Sequence, residues 1–288
     1  MGAGSWDMSN RTVKRVIRAV DSSDGAGVRL KRSIGQSMGA RIDPFLMLDA
    51  FSSDSPDDYI AGFPAHPHRG FETVTYMLDG LMRHRDHMGH EGLLRAGGVQ
   101  WMTAGRGVIH EEMPQQEQGL MRGFQLWVNL PAAEKMKPAA YRNIEPEQVA
   151  EAEDEQGNRI HLVAGELDFA GQAIEGPVSG VSRRPLFVDL QLVPNASLEL
   201  PLAAELAAFV YLFEGGVSIG DKEVPGNSAV ELGAGDGISL QAGAEGARCL
   251  LVAAKPIGEP VVQYGPFVMN TSEEIEQALR DYRDGTFV

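Results

Sequence analysis

Two matching segments, Tyr76-Met77-Leu78-Asp79-Gly80 and Tyr211-Leu212-Phe213-Glu214-Gly215, decide the predicted fold of this chain. They start 135 residues apart, and each is a short run of aromatic and aliphatic residues that ends in an acidic residue and glycine. A short apolar run bounded by turn formers is typical of a β-strand. A second pair of similar segments, residues 94–99 and 232–238, recurs in the same order about 138 residues apart. The sequence therefore predicts a duplicated unit of about 135 residues.

The rest of the chain agrees with two all-β domains. The length of 288 residues suggests about two domains, and the 34 glycines and 16 prolines are spread along the chain as in a protein of many short strands and turns. We expect the join in residues 145–155, where six carboxylates fall within eleven residues and indicate a solvated connection.

One helix is predicted, at the C-terminus. Thr271 and Glu274 have the spacing of a capping box, and Gly285 stands where the helix should end. Four apolar residues follow the cap at helical spacing: Ile275, Ala278, Leu279 and Tyr282. This pattern predicts a helix over residues 272–284 that packs on a barrel or across the two domains.

Composition excludes several classes of protein. The single cysteine, Cys249, leaves no partner for an intramolecular disulfide and no cysteine cluster for zinc or iron–sulfur binding. A net charge of −15 disfavours direct nucleic-acid or anionic-membrane binding. Residues 1–10 do not resemble a signal peptide, and no apolar run is long enough for a membrane helix. We expect a cytoplasmic monomer.

The distribution of histidines along the sequence points to a metal site. Six of the seven histidines lie between residues 66 and 110: His66, His68, His84, His87, His90 and His110. On a strand, side chains two residues apart share a face, so His66 and His68 can reach one ion, and His110 and Glu112 repeat that spacing. Such a site would hold a metal through three nitrogens and one carboxylate and leave one or two positions open. Ligands of this kind suit Fe(II), Mn, Ni, Cu or Zn.

Two long segments around these residues resemble signature segments of a known family. They are His66-Pro67-His68-Arg69-Gly70-Phe71-Glu72-Thr73-Val74 and Gln100-Trp101-Met102-Thr103-Ala104-Gly105-Arg106-Gly107-Val108-Ile109-His110, and they are similar to segments of the pirins, within the bicupin group. The likeness extends to residues 43–46, 125–130, 134–136 and 265–271, and so spans almost the whole chain.

The resemblance implies an all-β fold of two cupin barrels, each a double-stranded β-helix or jelly roll, with a short C-terminal helix. Residues 1–144 would form a metal-binding barrel, and residues 145–288 a metal-free barrel that carries the helix. It also implies Fe(II) as the cofactor, with Ni, Cu, Mn or Zn as alternatives. The implied ligands are His66, His68, His110 and Glu112.

The repeat provides a separate test of which half binds metal. A shift of 135 carries His66 and His68 onto Pro201 and Ala203, and a shift of 138 carries the other two expected ligands onto Arg248 and Leu250. Since none of these residues is a histidine, we expect the second barrel to bind no metal.

The sequence also suggests roles for the other polar residues around the expected ligands and for the remaining histidines. Glu112 is the first candidate for a general base, and Glu72 is an alternative base, an alternative ligand or a partner of the ligands. His84 and His90 either orient the ligands by hydrogen bonds or lie on an exposed hairpin. The expectation for His87 is an exposed side chain and for His161 an ordinary strand residue. Core packing is expected for Trp101, Gln125, Trp127 and Asn129, with substrate contact as the alternative.

Two functions from different classes follow from the resemblance. In the first, the protein is a quercetin 2,3-dioxygenase-like oxidoreductase that opens a flavonol such as quercetin with dioxygen and releases carbon monoxide. In the second, it is a non-enzymatic, iron-dependent redox regulator that binds a transcription factor or a metabolic enzyme. An open site in a barrel of small-molecule size favours the enzyme.

Overall fold

The computed structural model describes residues 8–288, and over this range the chain forms 24 strands and one α-helix. The first twelve strands are β1 (Val13–Arg18), β2 (Val20–Asp24), β3 (Val28–Arg32), β4 (Phe45–Ser53), β5 (Phe63–His68), β6 (Phe71–Asp79), β7 (Leu81–Asp86), β8 (Glu91–Arg95), β9 (Val99–Thr103), β10 (Val108–Pro114), β11 (Met121–Asn129) and β12 (Ala140–Ile144). The others are β13 (Ala150–Glu153), β14 (Arg159–Ala164), β15 (Glu166–Phe169), β16 (Gln172–Glu175), β17 (Leu186–Leu192), β18 (Ser197–Pro201), β19 (Ala207–Ile219), β20 (Lys222–Glu223), β21 (Ser228–Leu232), β22 (Gly237–Ala254), β23 (Val262–Tyr264) and β24 (Phe267–Met269). Short 3₁₀ turns span Pro56–Asp58, Ala132–Glu134 and Pro146–Gln148. The helix α1 spans Ser272–Arg283, so the expected all-β class with a C-terminal helix is confirmed.

The chain divides into two compact units. One unit, here called the histidine unit, comprises residues 19–149 and 257–288, and the second unit comprises the described residues up to 18 together with residues 150–256. The observed division at 149/150 lies close to the expected cut after residue 144. The chain ends differ from the expected boundaries, because β1 pairs with β21 of the second unit and Phe267 forms a β-bridge with Arg69 of the histidine unit.

Two sheets build the histidine unit. The larger has the strand order β12-β9-β6-β11-β4-β3-β2, and the smaller has the order β5-β10-β7-β8. Strand β6 carries alternate side chains to opposite faces. Its Met77 joins an apolar cluster with Met82 of the smaller sheet, which identifies that face of β6 as the interior.

The second unit is built around two long strands. Its main sheet follows the order β1-β21-β19-β22-β17-β14-β13, with β18 paired to β22 and β20 paired to β19. The ladder of β19 and β22 shifts register twice, around Leu212/Glu214 and Gly215/Val217, so that each strand contributes to two parts of the sheet. Gly215 has a φ of +67°, and a Cβ there would lie 2.1 Å from the carbonyl oxygen of Gly246. The bend therefore requires glycine.

Strand pairing also revises the internal repeat. β18 pairs with the first part of β22 as β5 pairs with β10, with Pro201 opposite Gly237 and His68 opposite Val108. This register aligns the four expected ligand positions with Glu199, Pro201, Ser239 and Gln241. The constant offsets of 135 and 138 residues were therefore wrong. The second offset aligned residues 94–99 with residues 232–238. However, β21 pairs with β19 as β9 pairs with β6, so residues 232–238, which follow β21, correspond to the turn between β9 and β10.

The C-terminal helix has the predicted cap but only half of the predicted apolar stripe. Thr271 Oγ1 accepts a hydrogen bond from the Glu274 backbone amide at 3.2 Å, and the Glu274 carboxylate accepts one from the Thr271 amide at 3.0 Å. Ile275 and Ala278 are buried against Phe267 of β24, within the histidine unit. Leu279 and Tyr282 remain exposed. The helix is too short and polar to cross a membrane, and it is the one helix among the described residues.

Candidate metal centre

Three histidines converge inside the histidine unit. β5 and β10 are antiparallel, and His66 lies opposite His110, so the rings of His66, His68 and His110 share one face. Their ring centroids are 4.4 to 4.9 Å apart. One nitrogen of each ring lies within 4.8 Å of those of the other two, and within residues 8–288 no other group of three His, Cys, Asp or Glu side chains meets this criterion.

Hydrogen bonds to the outer nitrogens orient two of these rings. His66 Nδ1 lies 2.7 Å from the Pro64 carbonyl oxygen and donates to it, which leaves the lone pair on Nε2. His110 Nδ1 is 3.0 Å from His84 Nε2, so Nε2 of His110 is the free nitrogen. A partner on one ring nitrogen determines which nitrogen can bind a metal.

The buried nitrogens of the cluster are suited to a metal ion. His68 and His110 are each 2% exposed, and both nitrogens of His68 and Nε2 of His110 have no hydrogen-bond partner. Burial, followed by the neighbouring imidazoles, lowers the pKa of both side chains well below the ordinary histidine value. Neutral imidazole is the form that ligates metals. The donor set fits a divalent first-row ion, which would satisfy the unpaired nitrogens.

Glu112 lies two residues beyond His110 on β10 but has its own hydrogen bonds. Oε1 accepts from Thr75 Oγ1 at 3.0 Å, and Oε2 accepts from Gln125 Nε2 at 2.9 Å. The register of β10 against β5 shifts between His110 and Glu112. The carboxylate is therefore held on the interior face while standing outside the closest cluster of three nitrogens.

Glu72 is not brought to the histidines. It neighbours Phe71, whose ring packs 5.2 Å from that of His68, and adjacent residues of a strand point to opposite faces. Its carboxylate accepts a hydrogen bond from Thr103 Oγ1 at 2.7 Å. Burial raises the pKa of Glu72, and the bond from Thr103 opposes that rise. The structure thus separates Glu72 from the candidate centre, contrary to each role expected for it.

The other four histidines differ in burial and in their contacts. His84 is buried beside His110, as described above, whereas His90 is exposed and its Nδ1 lies 2.9 Å from Asp86. The ring of His90 packs 5.2 Å from that of Tyr141, outside the cluster of His66, His68 and His110. The exposed His87 accepts a hydrogen bond from the Ile109 amide, and His161 is a half-buried strand residue of the second unit.

A cavity of about 540 Å³ opens onto the cluster. This volume falls within the range of small-molecule sites. His66 and His68 form part of its lining. The side chains beside them are Leu46, Met47, Phe63 and Trp127, and the C-terminal segment contributes Gln263, Gly265 and Pro266. Access to the histidines therefore leads through a largely apolar chamber with a few polar groups.

Comparison with known proteins identifies the family. Residues 27–128 match the family model described as Pirin, and residues 187–288 match that of the Pirin C-terminal cupin domain. This chain belongs to the pirin family. Its two pirin domains confirm the bicupin fold expected from the signature segments.

Pirin relatives and solved structures align over nearly the whole chain. A Pseudomonas aeruginosa protein that is provisionally named quercetin 2,3-dioxygenase is 54% identical over 92% of this chain and 93% of its own length. A pirin-like protein of Caulobacter vibrioides is 45% identical over 97% of this chain and 100% of its own. The crystal structure of quercetin 2,3-dioxygenase from Acinetobacter baumannii superimposes with a TM-score of 0.88 at 33% identity, covering 97% of this chain and 99% of that one.

Two residues of β11, Gln125 and Trp127, connect the cavity of this pirin to Glu112. Core packing was expected for both, with substrate contact as the alternative; Trp127 packs in an apolar cluster with Phe71, and both residues also line the cavity. Trp127 Nε1 donates to Gln125 Oε1 at 3.3 Å, and Gln125 in turn donates to Glu112. Their alternation with Leu126 on β11 was the available signal, because it places both on one face of the strand.

Proposed function

We propose that this pirin binds one first-row transition metal ion through His66, His68, His110 and Glu112, and that this ion is iron(II). We further propose that it is a dioxygenase that opens flavonols such as quercetin with dioxygen and releases carbon monoxide. The observation that carries the proposal is the convergence of three imidazoles, two of them buried, at a cavity that His66 and His68 line. Relatives named as quercetin 2,3-dioxygenases support the reaction class.

The bound ion would supply Lewis acidity that lowers the pKa of the flavonol hydroxyl and an open position beside the substrate. Glu112 would accept the hydroxyl proton on its carboxylate. Thr75 and Gln125 each donate to one Glu112 oxygen and so hold that carboxylate in place on the interior face. This pairing keeps the base oriented before substrate arrives.

The cavity would position the aromatic rings of the substrate. Trp127, Phe63 and Met47 offer apolar surface beside the histidines, where flat rings pack well. Glu112 itself is 2% exposed, so bulk water has little access to its carboxylate. A drier site strengthens the electrostatic effect of each polar group that remains.

The first experiment measures which metal the protein acquires. Protein purified without a polyhistidine tag or added metal is analysed for metal content and by electron paramagnetic resonance in both redox states. The expected result is about one iron per chain in wild type and none in His66→Ala. Glu72→Gln is the matched control, because that carboxylate faces away from the cluster and the variant should retain its metal.

The second experiment measures turnover. Protein loaded with Fe(II) without oxygen is mixed with quercetin and then exposed to oxygen, and carbon monoxide is detected. Turnover in wild type and its loss in His66→Ala are expected. Absence of turnover with every first-row metal would refute the enzymatic proposal. Recovery of a protein partner only in one iron oxidation state would then identify the alternative, an iron-dependent regulator.

A further inference from the structure

Lys135 is a buried cation for which the proposed reaction has no use. It follows the 3₁₀ turn Ala132–Glu134 and is 1% exposed. Its ammonium donates three hydrogen bonds, to the Gly70 carbonyl oxygen at 2.8 Å, to Asn129 Oδ1 at 2.6 Å and to the Val268 carbonyl oxygen at 3.0 Å. Burial lowers the pKa of Lys135 to about 8. Burying an ammonium costs free energy, and here three oxygens from three different segments offset that cost. The ammonium therefore joins these three segments.

The first of these partners belongs to the turn that follows a proposed ligand. Gly70 lies two residues after His68, and its amide donates to the Gly105 carbonyl oxygen at 2.8 Å, just before β10 with His110. Gly70 has a φ of +94°, and a Cβ there would lie 1.9 Å from the carbonyl oxygen of Val268. The turn is therefore in direct contact with the loop that leads to the third histidine and with β24.

The third partner belongs to the segment that forms a wall of the cavity. Val268 donates its amide to the Arg69 carbonyl oxygen at 3.0 Å, and the Arg69 amide donates to Pro266 at 3.3 Å. Pro266 lines the cavity beside His66 and His68. The single ammonium of Lys135 thus donates hydrogen bonds both to the turn that follows His68 and to the segment that forms the cavity wall.

We infer that Lys135 is a positioning residue for the metal centre, whose ammonium holds the turn after His68 and the C-terminal segment in the register that brings the three imidazoles together. This inference rests on the proposed metal site. Removing the ammonium takes a buried donor from the Gly70 and Val268 carbonyl oxygens and leaves Asn129 Oδ1 with the Leu130 amide alone, so the turn that follows His68 can then move. Outer groups that orient ligands in this way typically contribute 10- to 100-fold to metal affinity.

The test uses Co(II) as the probe, because its visible spectrum reports the number and geometry of its ligands without any catalytic assay. Lys135→Met keeps the approximate length of the side chain and removes the donor. We expect the Co(II) dissociation constant to rise at least tenfold and the visible bands to change in shape. Asn129→Ala, which removes one of the three acceptors, should shift both readouts in the same direction by less and serves if Lys135→Met does not fold.

Two controls separate positioning from general stability. Met77→Ala truncates a fully buried side chain of the same unit and lowers stability by opening a cavity, but it should leave the Co(II) affinity and spectrum unchanged. Lys137→Met removes a partly exposed lysine that pairs with Glu134, and it should also leave the Co(II) affinity and spectrum unchanged. Unchanged Co(II) binding in folded Lys135→Met and Asn129→Ala would overturn the inference alone. A wild-type protein that binds no Co(II) would overturn the proposed metal site as well.

Discussion

The metal-free protein should lose stability as the pH falls from 7.5 to 5.5. His68 and His110 are buried, and their pKa values are lowered well below 6.5 by burial and by neighbouring imidazoles. In the unfolded chain both rings are expected to take up a proton near pH 6.5. Because the unfolded state binds more protons below that pH, acidification favours unfolding. The loss continues until the pH reaches the lowered pKa values of the folded state.

The magnitude follows from proton linkage. If neither folded ring binds a proton between pH 7.5 and 5.5, each histidine contributes about 1.4 kcal/mol, and the two together about 2.7 kcal/mol. Buried carboxyls change the slope in the opposite direction, since burial raises the pKa of Glu72 and of Asp49. The comparison that isolates the histidines is therefore the difference in slope between wild type and a variant without them.

Urea unfolding of chelator-treated protein provides the assay. Two of the three tryptophans, Trp101 and Trp127, lie in the histidine unit, so most of the tryptophan fluorescence comes from the part of the chain that contains the site. The variant His68→Asn with His110→Asn should show a smaller loss between pH 7.5 and 5.5, by about 2.7 kcal/mol. Met77→Ala, which removes no titratable group, should retain the wild-type slope. Equal slopes in wild type and the double variant would refute the reasoning.

Three further predictions concern individual contacts. Gln125→Leu removes the donor to Glu112 and should lower flavonol turnover about 10- to 100-fold in steady-state assays, with retained iron as the control. His84→Ala should weaken metal binding by a similar factor in competition titrations, whereas the exposed His90→Ala should not; equal effects would contradict the assigned contacts. Gly70→Ala should destabilise the protein by roughly 2–4 kcal/mol in urea unfolding, because of its positive φ and the clash of a Cβ with backbone; an unchanged midpoint would refute this.

Local patterns predicted the parts of the structure that depend on neighbours in sequence. The pairing of His66 with His68 on one face needed only the two-residue period of a strand, and the cap of α1 needed only Thr271 and Glu274. The internal repeat was visible for the same reason. Its second match was misaligned because strand register depends on partners far along the chain.

Contacts at long sequence separation decided the rest. Glu72 belongs to the same signature segment as His66 and His68, but the alternation of β6 after Phe71 turns it to the opposite face. No local pattern could bring Lys135 to Gly70 and Val268, which are separated from it by 65 and 133 residues. The exchange of chain ends between the units has the same origin, since β1 pairs with a strand more than 200 residues away.

The sequence by itself determined the all-β class, the helix cap and the three histidines of the candidate centre, because periodicity and capping act over a few residues. Only the tertiary structure decided that Gln125 donates to Glu112, that His84 rather than His90 contacts His110, and that the C-terminal segment forms a wall of the cavity. Each of these depends on which strands pair and in what register. Register is a property of the whole sheet, and a shift of one residue would turn every side chain to the other face.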